Sequence, residues 1–218
     1  MFAFIPHTII DDTFLLSANR TVYWENEKTL VLSDLHLGKS GHFRKSGIAI
    51  PQNIFKEDLQ RLLAEIQFFG PAQMIIVGDL FHSSMNKEHE LFLRWRKEIG
   101  GIPIQLVKGN HDILKSEWYE DADITLHTKH LCIRKFTFTH DIAECETGGD
   151  HYCFSGHIHP SFQMKGPGNL SVNLPCFYFA ENYAVLPAFG KFTGTFPVKP
   201  VKGAAVFVLV EGRVMKLM

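Results

Sequence analysis

The sequence predicts an α/β protein in which helices pack outside two central sheets. In its first half, apolar strand patterns alternate with amphipathic helix patterns, as in sheets built from β–α–β units. From residue 124 onward the chain consists mainly of short strand patterns separated by turns. No repeat, low-complexity tract or linker divides the 218 residues, so we expect a single domain over residues 1–218.

The first predicted elements are the strands of a β-meander between Thr13 and Leu32, which polar turns separate. A helix is expected after Pro51, because apolar residues recur at steps of three and four until Gly70 and Pro71 end the pattern. The apolar stripe of this helix should face a sheet.

The middle of the chain continues the alternation of strand and helix. Met74–Val77 is a continuous apolar run, as expected of a strand buried on both faces. Lys87–Ile99 carries apolar residues on one helical face, and Ile104–Val107 is the next strand. Later short strands are predicted at Ile124–Leu126, Leu131–Ile133 and Phe136–Thr139, with a hairpin formed by Ala204–Val210 and Val214–Met215.

Composition and charge limit the class of protein. A chain that is 45% hydrophobic and 21% charged is typical of a soluble globular protein. A net charge of -1 argues against a general electrostatic attraction to nucleic acid, but a local basic strip beside an active site is compatible with binding it. The first residues have no basic region and are soon followed by Asp11 and Asp12, which predicts a poor secretory signal, and the apolar run Ala204–Val210 is too short to cross a bilayer. The four cysteines lack Cys-x-x-Cys spacing, which indicates reduced thiols in a cytoplasmic protein.

Five short motifs carry residues that hold metals or move protons. Most of them follow predicted strands, and they contain carboxylate, amide and imidazole groups without a thiolate, which suits a binuclear hydrolytic centre. Any single histidine is more simply explained as a hydrogen-bonded or surface residue, so the inference depends on the whole set. The motifs are Asp34-Leu35-His36, Gly78-Asp79-Leu80-Phe81-His82, Gly109-Asn110-His111-Asp112, His140-Asp141 and Gly156-His157-Ile158-His159.

Position along the chain suggests a role for several of these residues. Asp79 follows a buried strand, and a carboxylate there is able to bridge two cations. Asn110 offers a neutral carbonyl oxygen. His111, with Asp112 beside it, has the composition of a proton donor and its orienting carboxylate.

The ordered motifs resemble those of the calcineurin-type metallophosphoesterase superfamily over residues 34–159. The resemblance implies a four-layer αββα sandwich, with two central mixed sheets flanked by helices, and Asp79 bridging two divalent metal ions. His111 would be the proton donor, and His82 would support a ligand or face the substrate. The implied ligands are Asp34, His36, Asp79 and His159 for one ion, and Asp79, Asn110, His140 and His157 for the other.

Three longer stretches resemble a narrower group, the DNA-ligase-associated phosphodiesterases of the PdeM type. They are residues 33–39, 42–48 and 186–194. The resemblance implies a manganese-dependent enzyme that cleaves phosphodiester bonds in DNA, especially single strands, within a repair set that includes a ligase and a helicase. Iron, zinc, magnesium and nickel would also suit such ligands.

The segment after His36 is the candidate for binding the DNA backbone. Lys39, Arg44 and Lys45 are able to neutralise phosphates, and Phe43 is able to offer a face to a base. A solvated basic loop with Phe43 in the core explains the same residues equally well. For Lys191 and Phe192 in the late loop, packing is the favoured interpretation.

Two other functions are compatible with the same motifs. One is a hydrolase of the same superfamily that acts on a small phosphodiester or phosphomonoester, such as a cyclic nucleotide or a nucleotide-sugar lipid. The other is a catalytically silent, metal-binding interaction scaffold. Retention of every motif, including His111, favours an enzyme over the scaffold.

Overall fold

The computed structural model describes residues 4–39, 54–82, 87–145 and 151–218. Within these ranges the chain forms two sheets. The first sheet holds seven strands side by side in chain order. The first four strands pair with one another in antiparallel orientation, and the fourth to the seventh pair with one another in parallel orientation. They are β1 (Phe4–Ile9), β2 (Asp12–Ser17), β3 (Val22–Trp24), β4 (Thr29–Leu32), β5 (Gln73–Val77), β6 (Ile104–Val107) and β7 (Ile124–His127).

The second sheet contains nine strands within the described ranges. They are β8 (His130–Ile133), β9 (Phe136–Thr139), β10 (Tyr152–Ser155), β11 (Pro160–Lys165), β12 (Ser171–Phe179), β13 (Tyr183–Val185), β14 (Phe196–Pro197), β15 (Ala205–Val210) and β16 (Arg213–Lys216). Their order is β14-β11-β12-β13-β10-β9-β8, with β15 paired to β12 and β16 to β15. Strands β9, β10 and β13 run parallel, whereas the β8–β9 and β15–β16 pairs are antiparallel.

Three described α-helices cover the outer face of the first sheet. They are α1 (Ile54–Phe69), α2 (Lys87–Glu98) and α3 (Ser116–Asp121). Helix α1 forms because its apolar residues share one face, and Phe55, Leu59 and Leu62 are buried in the core between the helices and this sheet. Short 3-10 turns occupy Ile142–Glu144 and Pro167–Asn169.

A second core fills the space between the two sheets. It is rich in aromatic residues, and Phe14, Trp24, Phe136, Phe138 and Phe154 contact one another there. Edge-to-face and offset contacts of this kind are favourable beyond the apolar area that they bury. The two sheets are therefore joined by a continuous apolar layer.

The α/β fold with two mixed sheets, predicted from the sequence, is confirmed. The meander, the three parallel strands, the helix after Pro51 and the final hairpin all lie where the patterns predicted them. In the described ranges no α-helix covers the outer face of the second sheet. A third cluster there, with Cys176, Tyr178 and Val206 buried, is packed instead against partly buried residues such as Phe162 and Val198.

Strand β12 was not predicted, and its sequence shows why. Pro175 lies inside it, and proline normally argues against a central strand because it lacks an N–H donor. Here Pro175 pairs with Ser161 of β11, and from Cys176 onward the strand pairs with β15. The proline therefore lies where the strand changes partners.

The prediction of four reduced cysteines is wrong for one pair. Cys145 and Cys153 form a disulfide, with their Cα atoms 6.2 Å apart. After β9 the chain turns sharply, because the Asp141 carboxylate accepts a hydrogen bond from the N–H of Ala143 and caps a 3-10 turn. This turn brings Cys145 beside β10, a proximity that sequence spacing did not reveal. Cys132 and Cys176 are free thiols.

Among the described helices, none combines the length and the apolar character needed to cross a membrane.

Candidate metal centre

The predicted ligands follow the carboxyl ends of strands from both sheets. Asp34 lies two residues after β4, and Asp79 lies two residues after β5. Asn110 lies after β6, His140 directly after β9, and His157 after β10. Strands β4, β5 and β6 run parallel in one sheet, and β9 and β10 run parallel in the other. Because the carboxyl ends of parallel strands share an edge, the packed sheets bring these loops together.

The first group of candidate ligands consists of Asp34, His36 and His159, whose ligand atoms all lie within 4.8 Å of one another. The Nε2 atoms of His36 and His159 are 3.2 Å apart, and Asp34 Oδ1 is 3.3 Å from His159 Nε2. Burial, together with the nearby positive charge of Lys39, lowers the pKa of His36 to about 2. His36 is therefore neutral, as a metal ligand must be.

The second group consists of Asp79, His140 and His157, again with all ligand atoms within 4.8 Å. His140 Nε2 lies 3.1 Å from His157 Nδ1 and 3.0 Å from Asn110 Oδ1. The Asn110 side-chain oxygen therefore lies beside the group formed by Asp79, His140 and His157. Every residue that the sequence predicted as a ligand lies in or beside one of the two groups.

Asp79 lies between the two groups. Its Oδ2 atom is 3.8 Å from His36 Nε2 and 3.5 Å from His140 Nε2, so one oxygen faces a ligand of each group. Its Oδ1 atom accepts a hydrogen bond of 2.9 Å from the backbone N–H of His111. Burial raises the pKa of the Asp79 carboxyl, although the nearby His140 opposes this shift.

The donor set suits divalent cations. Asp34 and Asp79 are buried carboxylates, and burying such charges without a compensating positive charge is costly. In each group a ring nitrogen of one histidine faces a ring nitrogen of another. Only one proton fits between two such nitrogens, so in each pair one nitrogen has a lone pair that is able to bind a cation. Cations bound among these nitrogens and oxygens would relieve both conditions, and the ligand types suit manganese, iron and zinc.

The backbone at the candidate ligands is strained. Asp34, His36, Asp79, His157 and His159 all have positive φ, between 49° and 66°. A non-glycine residue in this left-handed region costs on the order of 1 to 2 kcal/mol, and such residues cluster at functional sites. Five of them within one site indicate that ligand placement is maintained at the expense of backbone stability.

Glycines next to the ligands leave room for the ligand side chains. A Cβ added to Gly78 would overlap the His140 ring, and one added to Gly156 would overlap the Asp34 carboxylate. Glycine is therefore required at Gly78 and Gly156 because the ligand side chains lie too close for a Cβ. At Gly78 the positive φ of 79° is a second reason.

We expect the Gly78→Ala variant to lose affinity for the metal of the second group, because the new methyl group displaces His140. Gly70→Ala is the matched control, since Gly70 also has positive φ but has no atom near its added Cβ. Both variants should lose about 1 kcal/mol of unfolding free energy from backbone strain. Manganese titrations followed by calorimetry will compare them, and equal affinity in the two variants would contradict the close-approach explanation.

The predicted pairing of Asp112 with His111 is wrong. The Asp112 carboxylate is fully buried and accepts hydrogen bonds from the backbone N–H groups of Asp79, Phe81 and Gly109. No contact between this carboxylate and the His111 side chain occurs, although both residues are described. Asp112 instead ties the loop after β5 to the loop after β6, and burial raises its pKa to about 7. Sequence adjacency misled here because neighbouring side chains point in different directions.

His111 and His82 lie together at the rim of the site. Their ring centroids are 4.5 Å apart, and the His111 ring is 5.4 Å from that of His36. His82 Nδ1 also lies 3.4 Å from His36 Nδ1, on the side of the ring opposite the first ligand group. His82 therefore supports His36 from behind, as metal-binding histidines commonly require.

Of the predicted DNA-binding residues, Lys39 is described, and Phe43, Arg44 and Lys45 lie outside the described residues. Lys39 is partly buried close enough to Asp34 and Asp79 for their charges to raise its pKa, although burial has the larger, opposite effect. Its ammonium group is therefore near the candidate metal centre. A cation at this point is suited to a phosphate oxygen.

Sequence reasoning missed the contribution of the late loop. The carbonyl oxygen of Gly194 lies 3.1 Å from His159 Nδ1, so it accepts a hydrogen bond that directs Nε2 of this ring towards Asp34. The only sequence signal was the resemblance of residues 186–194 to the narrower group, and packing was the favoured interpretation.

The chain is similar to known proteins in sequence and in fold. The family model for calcineurin-like phosphoesterases matches residues 27–124. The chain is similar to the crystal structure of the nuclease MPE from Pseudomonas putida, with 27% identity and a TM-score of 0.82 over 98% of this chain and 100% of that one. It also has a weaker likeness, with 14% identity and a TM-score of 0.43, to Yfce, a phosphoesterase from E. coli, over 84% of this chain and 88% of that one.

No curated protein sequence matches the chain. The matched family segment runs from the turn before β4 to the start of β7 and contains Asp34, His36, Asp79 and Asn110. The remaining candidate ligands come from the second sheet. Residues 27–124 therefore match the calcineurin-like phosphoesterase family, and the chain is a metal-dependent phosphoesterase.

Proposed function

We propose that the protein is a nuclease that hydrolyses phosphodiester bonds in DNA, with single strands as its preferred substrate. The observation that carries the proposal is the convergence of two ligand groups on Asp79 with the His111 imidazole at their rim. The similarity to the Pseudomonas putida nuclease over nearly the full length of both chains supports a nucleic acid as the substrate class.

We assign the ligands as the sequence predicted them. Asp34, His36, Asp79 and His159 would hold one ion, and Asp79, Asn110, His140 and His157 would hold the other. When bound, such a pair of divalent cations lowers the pKa of water and stabilises negative charge on phosphate oxygens. Manganese is the proposed metal, because oxygen and imidazole ligands suit it and the narrower group resembled by the sequence depends on it.

The chain's own residues then supply the proton and the binding contacts. The backbone N–H of His111 donates a hydrogen bond to Asp79 Oδ1, and the partly exposed imidazole at the rim of the site supports a role as proton donor to the leaving oxygen. His111 donates a proton to that oxygen, since the conjugate base of an alcohol is a poor leaving group. Lys39 binds an oxygen of a phosphate beside the scissile one.

The exposure of the site suits a polymeric substrate. Asn110 and His157 are exposed and His111 and His159 are partly exposed, whereas Asp34 and Asp79 are buried beneath them. A chain of phosphates is therefore able to lie across the rim without entering a closed cavity. We further propose that the protein acts in the cytoplasm in DNA repair, together with a ligase and a helicase, as its resemblance to the narrower group implies.

Metal-dependent cleavage of end-labelled single-stranded DNA, followed on a denaturing gel, tests the proposal. We expect cleavage with manganese, loss of cleavage with excess chelator, and slower cleavage of a duplex of the same sequence. The control substrates are a cyclic nucleotide, a small aryl phosphodiester and a phosphomonoester. Hydrolysis of one of these at normal rates with intact DNA would instead indicate a small-molecule phosphoesterase, and inactivity with every metal would indicate an interaction scaffold.

A further inference from the structure

The late loop, residues 187–194, lies against the segment that carries two candidate ligands of the first group. The N–H of Phe189 donates to the carbonyl of Ser33 at 2.8 Å, and the N–H of Gly190 donates to that of Asp34 at 3.1 Å. These two hydrogen bonds join backbone to backbone. The loop therefore lies directly beside the backbone of the ligand segment.

The loop contacts the first group at two further points. A Cβ added to Gly190 would lie 2.4 Å from the carbonyl oxygen of Leu35, the residue before His36, so this close approach requires glycine. At the end of the loop, the carbonyl of Gly194 accepts the hydrogen bond from His159 Nδ1. In the described part of the chain, residues 187–194 form no hydrogen bond with a ligand of the second group.

The ligand segment is strained and is held from both sides. Asp34 and His36 have positive φ of 52° and 49°. Residues in this conformation keep it only where their surroundings enforce it. On one side, their N–H groups donate to the carbonyls of Gly78 and Asp79, at 3.1 and 2.9 Å. The late loop supplies the hydrogen bonds on the other side, so its loss would allow the segment to relax.

Two arginines hold the late loop from its opposite side. Arg20 donates to the carbonyl oxygens of Ala188 and Gly190, at 3.0 and 3.2 Å. The Arg61 guanidinium donates to the carbonyl of Phe189. Hydrogen bonds from charged donors are stronger than those between neutral groups. Three successive loop carbonyls are thus bound by guanidinium groups, while two of the same residues present their N–H groups to the ligand segment.

We propose that Arg20 is a positioning residue of the metal centre. By binding the carbonyls of Ala188 and Gly190, it fixes the late loop against the ligand segment and so holds Asp34 and His36 in place for the first ion. The proposal rests on the ligand assignment of the proposed function, and it does not depend on which phosphodiester is cleaved. Because the loop contacts only the first group, the effect should be confined to the first ion.

The test begins with substitutions that remove hydrogen bonds to the late loop. Arg20→Met keeps an apolar stem and lacks the donors, whereas Arg20→Lys keeps a charged donor. Thr193→Val is a milder second variant, because it removes only a hydrogen bond of 2.8 Å from the hydroxyl to the Gly190 carbonyl. Arg20 is preferred to Arg61, since Arg61 pairs with Asp58 at 2.7 Å and its loss would leave a buried carboxylate unpaired.

Arg96→Met is the matched control. Arg96 is also buried and donates to backbone carbonyls, those of Ala122 and Ile102 at 3.2 and 2.8 Å. These carbonyls lie before β7 and β6, at the edge of the sheet opposite the metal centre. Arg96→Met should therefore lower the Tm of the metal-free protein and leave manganese affinity unchanged.

Manganese affinity is measured by calorimetry on full-length, metal-free protein, in the wild type and in two single-site backgrounds. His140→Ala leaves only the first group complete, and His36→Ala leaves only the second. In the His140→Ala background, Arg20→Met should weaken binding by about 10- to 100-fold, the usual loss for residues that support a metal ligand. Thr193→Val should weaken it less, and Arg20→Lys should restore most of it. In the His36→Ala background, none of these substitutions should change the affinity.

The outcomes separate this inference from the function on which it rests. Equal losses in the two backgrounds would indicate a general structural role and overturn the positioning role of Arg20. Unchanged affinity of the first group in both Arg20→Met and Thr193→Val would do the same, and Thr193→Val decides alone if Arg20→Met does not fold. A wild-type protein that binds fewer than two manganese ions would overturn the ligand assignment together with this inference.

Discussion

Replacing Asp79 with alanine is expected to abolish phosphoesterase activity, with a loss on the order of a thousandfold or more. Asp79 Oδ2 faces His36 in one ligand group and His140 in the other, so its removal takes an oxygen from both. Each lost factor of ten corresponds to about 1.4 kcal/mol of barrier, and a shared metal ligand is expected to contribute several times that amount. In the described part of the chain, no other carboxylate lies between the two groups.

The metal-free stability of Asp79→Ala should change little, because two effects of the substitution oppose each other. The variant loses the hydrogen bond from the His111 N–H but also loses a buried carboxylate that lies near the charge of Asp34. Thermal unfolding with and without manganese should therefore show that the increase in Tm on metal addition is lost. Metal content by mass spectrometry should fall in parallel.

Asp12→Ala is the matched control for this measurement. Asp12 is also a buried carboxylate, but it accepts hydrogen bonds from Trp24 Nε1 and Arg134 between strands distant from the centre. This variant should lose stability and keep both metals. If Asp79→Ala retained full manganese-dependent turnover, the assignment of Asp79 as the shared ligand would be wrong.

Replacing His111 with alanine is expected to slow DNA cleavage by a factor of about 100 to 10,000, the range associated with general acid catalysis. The loss should be much smaller on an activated aryl phosphodiester, because an aryloxide departs without needing a proton. Metal content should be unchanged, since His111 belongs to neither ligand group. The ratio of the two losses, measured as kcat/KM on each substrate, is the diagnostic quantity.

His130→Ala is the control for the His111 substitution. His130 is an exposed histidine on β8, outside both ligand groups, so its removal should leave both rates unchanged. Equal losses on the two substrates in His111→Ala would contradict the proton-donor role. In that case the neighbouring His82, whose ring centroid lies 4.5 Å from that of His111, becomes the next imidazole to test in the same way.

Much of the centre could be predicted because its residues follow strands whose patterns are strong. Continuous apolar runs such as Met74–Val77 identify buried parallel strands, and the polar residues after them must then meet at one edge. Histidine and aspartate in short motifs identified the ligand types directly. Sequence adjacency failed for Asp112, whose carboxylate turns inward to bind three backbone N–H groups.

The sequence by itself determined the α/β class, the positions of the parallel strands along the chain and the chemical nature of the ligand set, because these depend on local apolar periodicity and on residue type. Only the tertiary structure decided that Asp79 faces both groups, that Cys145 meets Cys153, and that the loop of Phe192 is anchored beside His159. These contacts join segments that lie on different strands or loops. They arise from the packing of two sheets and from side-chain direction, and neither is encoded in a short window of sequence.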